Sequence, residues 1–503
     1  MNPTRSTRAA RAAVAVCAAS VVTAMIASAT SARAAGLYFS DRGVRPVGRG
    51  GAFVAGADDL GAMWYNPAGL AFAGDSLLID ASWLRFGATF QRRSLVHDPA
   101  SGTDVVQGAN YYPEVSGTTP LLPLPTIGIS NNLGIKDWNF ALGVMAPYAA
   151  LTSYPQTEVP FNGTTVAAPQ RYSLMSLDGS ALVVIGAYAA WRPSHEIAIG
   201  AGFQMLTGNF ASKLAFSACP PQDLLCSAQD PQYDAVTQLT VGPIFAPSGT
   251  AGITAIAYST PDVEVRVAAM GQLPYWISAP AKVDVQLPTA PNFQNASVSG
   301  DQATVSFNLP WIARAGIETR FGKHRQTRLE LSFVYEAWSM HDSITIAPAG
   351  SGITMNNITG LTPSYQVGTL VQPRNFRDTF SIHAGGEHFL RVSGYDLALR
   401  GGVSYERSAV PPEYLSVLTV DLDKVQVGIG GSIYLGESKR LRLDATYAHT
   451  FAFSQDVDPA AAQLTPVAAL RANTPPAADT VKINGGLYSA QADVIGVGMN
   501  WKY

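Results

Sequence analysis

The stretch RLRLDATYAHTF, residues 440–451, alternates between two kinds of side chain. Leu441, Leu443 and Tyr447 share one parity, while the charged residues Arg442 and Asp444 occupy the other. A period of two places each set on one face of a β-strand. This pattern predicts a strand with one apolar face and one polar face.

The same alternation recurs along the chain, in TRLELSFVYEA (327–337), in YDLALRGGVSYE (395–406) and in VIGVGMNWKY (494–503). We count about fourteen such segments, and the connections between them are alternately short and long. Short turns at one end and long loops at the other are typical of an outer-membrane barrel. We therefore predict an all-β fold, an antiparallel transmembrane β-barrel of about 14 strands.

The first 34 residues have the layout of a secretory signal peptide. Arg5, Arg8 and Arg11 precede an Ala/Val-rich stretch that ends at Ala32-Arg33-Ala34, a small-x-small cleavage pattern. We predict a signal peptide at 1–34, an N-terminal plug of the barrel lumen at 35–75 and the transmembrane barrel at 76–503.

Composition limits the classes of function. Without residues 1–34, Lys+Arg falls from 33 to 29 against 36 Asp+Glu, so the net charge of the predicted mature chain is −7. We expect no nucleic-acid partner. No run of about 18 apolar residues follows the signal, so a helical membrane protein is not expected.

The stretch DDLGAMWYNPAGLA, residues 58–71, precedes the first predicted strand. Asn66 is a good helix N-cap and Pro67 suits the first helical position, with Ala68 following. Asp58 and Asp59 can pair with cations that face the lumen. The candidates for these pairs are Arg328, Arg400, Arg440 and Arg442. We expect such contacts to be partly wet and weak, about 1 kcal/mol or less each.

The stretch RPVGRGGAFVAGADDLGAMWYNPAGLA, residues 45–71, resembles the N-terminal hatch of the FadL/TodX family of outer-membrane transporters for hydrophobic compounds. The resemblance continues in WNFALGVMAPY (138–148), LPWIARAGIETRF (309–321) and FRDTFSIHAGGEHFL (376–390). It covers nearly the whole mature chain, but the long loop 218–246 shows no clear family sequence.

The resemblance implies a mechanism of passive uptake. Outer loops would capture a long-chain fatty acid or an aromatic hydrocarbon and pass it to an apolar pocket. The hatch would block the lumen below, and a kink in the third strand would open a lateral exit. The residues assigned to that kink and substrate path are Phe140, Gly143, Met145 and Pro147. An alternative is that Pro147 merely ends the strand.

Two other classes remain as alternatives. A general porin for small polar solutes would share the barrel but would not need a 40-residue polar segment before the first strand. An outer-membrane lipid-modifying enzyme is disfavoured because neither G-x-S-x-G nor H-E-x-x-H occurs. We predict no enzymatic activity, no catalytic residues, no metal site and no cofactor.

Two further features carry predictions. Cys219 and Cys226 lie in a loop expected to face an oxidising space, so we predict a disulfide between them. Trp501 and Tyr503 end the last strand and resemble the signal read by the barrel-assembly machinery. The expected surroundings are outer-membrane lipid and lipopolysaccharide, around a monomer.

Overall fold

A computed structural model describes residues 41–98, 100–119, 123–148, 152–219, 229–360, 364–436, 438–468, 470 and 482–503. The predicted signal peptide and Cys226 lie outside these residues. Within them, no helix is long and apolar enough to cross a membrane.

Fourteen antiparallel wall strands form the main sheet, and six of them are interrupted. Their bounds are β1 Ser76–Arg92, β2 Glu114–Thr118 with Pro123–Asn131, β3 Trp138–Tyr148, β4 Ala181–Trp191, β5 Ile197–Ser217, β6 Asp234–Ser259, β7 Val263–Gln272 with Tyr275–Gln286, β8 Gln302–Leu309 with Ile312–Phe321, β9 Thr327–Glu336 with Ser343–Pro348, β10 Leu370–Pro373 with Thr379–Val392, β11 Tyr395–Glu406, β12 Lys424–Leu435, β13 Leu441–Ala452 with Gln455–Val457, and β14 Gly486–Lys502.

The sheet closes on itself. Each wall strand pairs with the next one in the chain, and β1 pairs with β14 from Ser76↔Lys502 to Arg92↔Gly486. Closure satisfies the backbone groups that an open sheet would leave unpaired in lipid. The predicted barrel of fourteen strands is therefore confirmed.

Side-chain burial follows the predicted parity. In β13, Arg442 and Asp444 are buried, whereas Leu443 and Tyr447 are exposed on the outer surface. In β9, Glu330 is buried and its neighbour Leu331 is exposed. The charged parity thus faces the lumen and the apolar parity faces outward.

The connections differ at the two ends of the barrel. Short turns occur at one end, as between β6 and β7 at residues 260–262. The long connections at the other end carry short strands of their own. These are Ser94–Asp98, Thr103–Gln107, Glu158–Phe161, Thr164–Ala167, Ser297–Ser299, Thr354–Asn356 and Ser364–Gln366. The end with the long loops is the outer one in barrels of this type.

Strand β6 begins within the long loop, residues 218–246, that the sequence analysis noted. Residues 234–246 of that loop belong to the strand. Its outer half pairs with β5 and with the outer piece of β7. Strands β5 and β6 have 21 and 26 residues. A bilayer requires about 9–11 residues, so these strands extend beyond it.

In the part of the chain that the structure describes, helical structure is confined to short pieces. Two α-helices, α1 Val44–Val47 and α2 Ala62–Tyr65, precede β1. The 3-10 turns are Pro67–Phe72, Pro231–Tyr233, Pro291–Phe293, Lys323–Arg325, Trp338–Met340 and Pro412–Tyr414. We call residues 41–73 the N-terminal segment.

Candidate functional site

The N-terminal segment is buried almost throughout. Its last turn is built by Asn66, whose Oδ1 accepts the backbone N–H of Ala68 at 3.1 Å, with Pro67 in the first position. The Asn66 Nδ2 donates to Thr254 Oγ1 of β6 at 2.9 Å and to the Val54 carbonyl at 3.2 Å. One side chain therefore caps the turn, bridges the segment internally and binds it to the wall.

Asp58 and Asp59 pair with wall arginines. Asp58 Oδ2 lies 2.7 Å from Arg328, and Asp59 Oδ2 lies 2.8 Å from Arg442. Arg45, within the segment, contacts both carboxylates at 2.6 and 2.9 Å. Two of the four proposed cations are thus brought to these acids.

Arg400 behaves differently from the other candidates. It pairs with Glu387 and Asp444, each at 3.0 Å, and not with either aspartate of the segment. Arg320, which the sequence did not single out, reaches Asp58 at 3.3 Å. The alternation along a strand predicts which charged residues face the lumen. It does not predict which residue each of them pairs with across the barrel.

The expectation of wet, weak contacts is wrong for the innermost pair, because the side chains of Asp59 and Arg442 are only 4% and 9% exposed. Burial alone would raise the pKa of Asp58. The charges of Arg45 and Arg328 outweigh that effect and hold its pKa well below the ordinary value. Asp58 is therefore ionised at neutral pH.

A second ionic centre was missed by sequence reasoning. Glu330 of β9 accepts the backbone N–H groups of Val54, Ala55 and Gly56 at 2.5, 2.9 and 2.8 Å. Arg49 lies 3.2 Å from Glu330 and 2.8 Å from Glu318 of β8. The side chains of Arg49, Glu318 and Glu330 are all fully buried.

Glycines on the wall make room for the segment. A Cβ on Gly402 would lie 2.0 Å from the Arg49 carbonyl oxygen, and one on Gly200 would lie 2.4 Å from the Ala68 nitrogen. Glycines on nine wall strands have the N-terminal segment among their close neighbours in this way. They are Gly128, Gly143, Gly200, Gly252, Gly316, Gly385, Gly402, Gly428 and Gly496. Each shares the parity of lumen-facing residues, which is a signal that the sequence already contained.

Strand β3 has an irregular outer end. Its register with β4 shifts between Met145 and Tyr148, and its ladder with β2 ends at Thr126↔Met145. The Arg42 guanidinium of the N-terminal segment donates to the Pro147 carbonyl oxygen there. Among the described residues, the outer end of β3 therefore has no ladder partner in β2.

Not all the residues assigned to this strand share one path. Gly143 faces inward, where a Cβ would meet the side chain of Met63 at 2.5 Å, and Met145 is fully buried. Phe140 has the opposite parity and stacks on Trp138, which is exposed on the outer surface. Phe140 therefore lies on the opposite face of the strand from Gly143 and Met145, because an odd separation along a strand reverses the face, and its place on the substrate path stays a prediction.

An apolar cavity lies in the outer half of the barrel, with a volume of about 130 Å³. It is lined from β5 by Phe210 and Leu214, from β6 by Leu239, and from the outer piece of β8 by Phe307. None of the described residues that line it is Asp, Glu, Lys or Arg. The cavity can hold a hydrophobic molecule, since each CH₂ that leaves water contributes about 0.8 kcal/mol.

Among the described residues that line the cavity, His341 is the one ionisable side chain. Its Nδ1 donates to the Asn308 carbonyl oxygen at 2.8 Å. Burial, together with the nearby Arg374 charge, lowers the pKa of His341 to about 4. The ring is therefore neutral at physiological pH, and the cavity lining carries no net charge.

Cys219 is buried and disulfide-bonded. Its predicted partner Cys226 lies outside the described residues, so that pairing stays a prediction.

At the C-terminus, the rings of Trp501 and Tyr503 are 5.7 Å apart, and the Tyr503 hydroxyl donates to the Ser130 carbonyl of β2 at 2.9 Å. Across the described residues, no group of three or more His, Cys, Asp or Glu could hold a metal ion.

A closed fourteen-stranded barrel with a buried N-terminal segment and an apolar outer cavity has the architecture of an outer-membrane transport protein. The chain belongs to the family described as outer membrane protein transport protein (OMPP1/FadL/TodX), whose model matches residues 25–485. This family comprises transporters of the outer membrane and not enzymes.

Solved structures show the same fold. A Pseudomonas aeruginosa FadL homologue is 14% identical, with a TM-score of 0.65 over 93% of this chain and 99% of that one. The Ralstonia pickettii toluene transporter TbuX is 15% identical, with a TM-score of 0.53 over 92% and 99%. The P. putida toluene transporter TodX is 14% identical, with a TM-score of 0.53 over 91% and 99%. No curated protein sequence matches the chain.

Proposed function

We propose that this protein carries hydrophobic compounds, long-chain fatty acids or aromatic hydrocarbons, passively across the outer membrane. The observation that carries the proposal is the apolar cavity in the outer half of a barrel whose lumen also holds a buried N-terminal segment. A water-filled pore offers no gain to an apolar solute, whereas a dry cavity does. Capture would occur in the cavity, and the N-terminal segment would act as the hatch.

Release is proposed to run sideways, between β2 and β3. The ladder between these strands ends at Thr126↔Met145. A smaller cavity of about 40 Å³ borders β2 at Leu124 and Thr126 and the N-terminal segment at Arg42, and its other described wall residues belong to β1 and to β11 to β14. The contact from Arg42 to the Pro147 carbonyl connects the segment to the same place. A hydrophobic molecule that leaves by this route enters lipid directly.

Uptake assays test the proposal. A strain without the gene should take up labelled toluene or dodecanoate more slowly than a strain that carries it. A porin would instead increase the entry of small sugars and ions, which liposome swelling measures. Swelling at porin rates without hydrophobic uptake would refute the proposal.

A Pro147→Ala variant tests the lateral route separately. Alanine restores a backbone N–H and allows the β3 ladder to extend. We expect slower hydrophobic uptake with capture unchanged.

The proposal also includes insertion by the barrel-assembly machinery, contact with lipopolysaccharide, and a monomeric state. The heat-modifiable mobility of the purified protein monitors assembly in each variant.

A further inference from the structure

A second cavity, of about 480 Å³, lies at the end of the lumen with the short turns, which faces the periplasm. We call it the periplasmic cavity. Nine of its described lining residues are Lys or Arg and two are Asp, so its lining is strongly cationic. Six of the nine pair with carboxylates, as Arg328 does with Asp58 and Arg266 with Glu264. No described carboxylate lies within ion-pair distance of the other three, which are Arg192, Arg440 and Lys502.

Four buried donor atoms on residues that line this cavity have no hydrogen-bond partner. Among the described residues, nothing accepts a hydrogen bond from the atoms Arg192 Nε, Arg266 Nη1, Arg328 Nε and Asn500 Nδ2. Arg266 and Asn500 are only 7% and 2% exposed. A buried donor without an acceptor is unfavourable, and more so when it belongs to a charged group. Four such donors around one cavity indicate a ligand that supplies oxygen acceptors.

Two of these donors meet at the end of the N-terminal segment. The guanidinium carbons of Arg192, just after β4, and Arg266, in β7, lie 4.7 and 4.5 Å from the centre of the Phe72 ring. The ring attracts both cations and holds them close together. Arg192 Nη2 donates to the His195 carbonyl at 2.8 Å, and Arg266 Nε donates to Glu264 at 2.6 Å. These bonds leave the two unpartnered donors for an anion beside Phe72.

The positions of the donors on the wall define the size of the ligand. Neighbouring strands lie about 4.8 Å apart, so wall positions on β7 and β9 are separated by about 10 Å. Arg320 of β8 lies between them and directly opposite Arg328 in the ladder, which places like charges side by side. One phosphate ion is too small to neutralise all of these groups, whereas a molecule with several phosphates can reach them. The volume is in the usual range for a small-molecule pocket.

We propose that the periplasmic cavity binds a small soluble molecule with two or more phosphate groups, held by Arg192, Arg266 and Arg328. Guanidinium groups bind phosphate oxygens through paired, charge-assisted hydrogen bonds. The exposed side chains of Arg440 and Lys502 attract such an anion to the mouth of the cavity. Arg266 and Arg328 have the lumen parity, behind a closed wall, which favours a soluble molecule over a lipid headgroup. This inference is independent of hydrophobic uptake.

Calorimetric titration of tripolyphosphate into the purified protein in phosphatidylcholine nanodiscs tests the proposal, with empty nanodiscs as the blank. In about 150 mM NaCl, exposed charges more than about 8 Å from the ligand are largely screened. We expect saturable binding of one molecule per barrel. Inorganic phosphate, which reaches fewer donors, should bind about tenfold or more weakly than tripolyphosphate, and Arg192→Gln should weaken tripolyphosphate binding by about tenfold.

Two further variants separate the donor from the charge. Lys136→Gln removes one positive charge from an exposed turn at the same end of the barrel, where the side chain is 91% exposed, and should bind like the wild type. Arg192→Lys keeps the charge but removes Nε, so its affinity should lie between those of the wild type and Arg192→Gln. This variant keeps the test open if the glutamine variant fails to assemble.

The outcomes decide between a specific site and a merely cationic surface. Absence of saturable tripolyphosphate binding to the assembled wild type, or an affinity in both Arg192 variants equal to that of the wild type, overturns the proposal. Octaglutamate binding as tightly as tripolyphosphate also overturns it and assigns the cavity to an acidic protein segment. None of these results affects the proposed hydrophobic uptake, which the uptake assays test separately.

Discussion

The Glu330 carboxylate on the barrel wall accepts the backbone N–H of Gly56 at 2.8 Å. The same carboxylate accepts two neighbouring N–H groups and faces Arg49. A wall side chain thereby satisfies backbone donors of the N-terminal segment that no helix or strand satisfies. This contact fixes the path of the segment and not merely its depth in the lumen.

Glu330→Ala should dislodge the segment while the wall stays closed. The substitution leaves three buried N–H groups without their acceptor and removes one of the carboxylates that face Arg49, at a cost of about 3–5 kcal/mol in segment docking. We expect a rise in ion conductance in planar bilayers. Glu330→Gln, which keeps one acceptor oxygen, should leak less, and the exposed-turn variant Glu196→Gln should not leak. Wild-type conductance in assembled Glu330→Ala protein would contradict this role.

Asn66→Ala removes the cap on Ala68 and the donor to Thr254 together. We expect docking of the segment to weaken by about 1–3 kcal/mol. Hydrophobic uptake should change and small polar solutes should leak, with little change in thermal unfolding of the barrel. Asn132→Ala, in an exposed turn between β2 and β3, is the matched control. If both variants transport and leak like the wild type, the Asn66 contacts have no functional role.

Gly402→Ala should displace the segment by a purely steric effect. Its Cβ would lie 2.0 Å from the Arg49 carbonyl oxygen, whereas a Cβ on Gly87 of β1 would meet nothing within 4 Å. Overpacking of this kind costs about 1–3 kcal/mol. Conductance should therefore rise in Gly402→Ala and remain at the wild-type level in Gly87→Ala. Equal conductance of the two variants would show that the segment adjusts at no cost.

Acid should release the segment only at low pH. The folded pKa of Asp58 lies well below its ordinary value of 3.8, so its pairing contributes stability that is present above pH 3.8 and is lost as the pH falls through the folded pKa. Conductance should stay flat from pH 8 to 4 and rise below pH 3.8. Asp58→Asn should already leak at pH 7, and its rise below pH 3.8 should be smaller. A midpoint near pH 6 would assign the transition to other groups.

Removal of Trp501–Tyr503 should prevent assembly. The Tyr503 hydroxyl donates to Ser130, and its backbone N–H donates to the Asp75 carbonyl at 3.2 Å, so the deletion also loosens the seam where β14 meets β1. We expect unassembled chains in the periplasm. Arg93→Gln, which removes an exposed ion pair with Asp456, is the control. A normal yield of heat-modifiable barrel after the deletion would disprove the role of these residues.

Alternation and the lengths of the connections were together sufficient to predict the barrel, because the face of each strand is set by its own residues. The parity of Arg442 and Leu443 needs no knowledge of neighbouring strands. Partners across the lumen are different. Asp59 and Arg442 are 383 residues apart in sequence, and only closure of the sheet brings them together.

Other features were present in the sequence but were not interpreted. Gly252 and Gly402 share the parity of the polar residues on their strands, and a lumen-facing glycine on strand after strand indicates a chain packed against the wall. Phe140 was grouped with residues of the opposite parity, although alternation alone separates their faces. The alternation in residues 327–337 places Glu330 on the polar face, but its role as an acceptor for three backbone groups depends on a segment more than 270 residues earlier.

Four wall glycines, Gly200, Gly385, Gly402 and Gly428, meet the segment through its main chain, at the Val47 and Arg49 carbonyl oxygens and the Ala68 nitrogen among other atoms. Main-chain atoms are common to every sequence, so this part of the fit depends on the path of the chain and not on which residues follow it. A segment grafted from a distant relative should therefore seat in this barrel, provided that it supplies an arginine for Glu330 and a carboxylate for Arg328 and Arg442. The barrel wall and the N-terminal segment can to that extent be exchanged between relatives. Their sequences can diverge at different rates without loss of the fit between them.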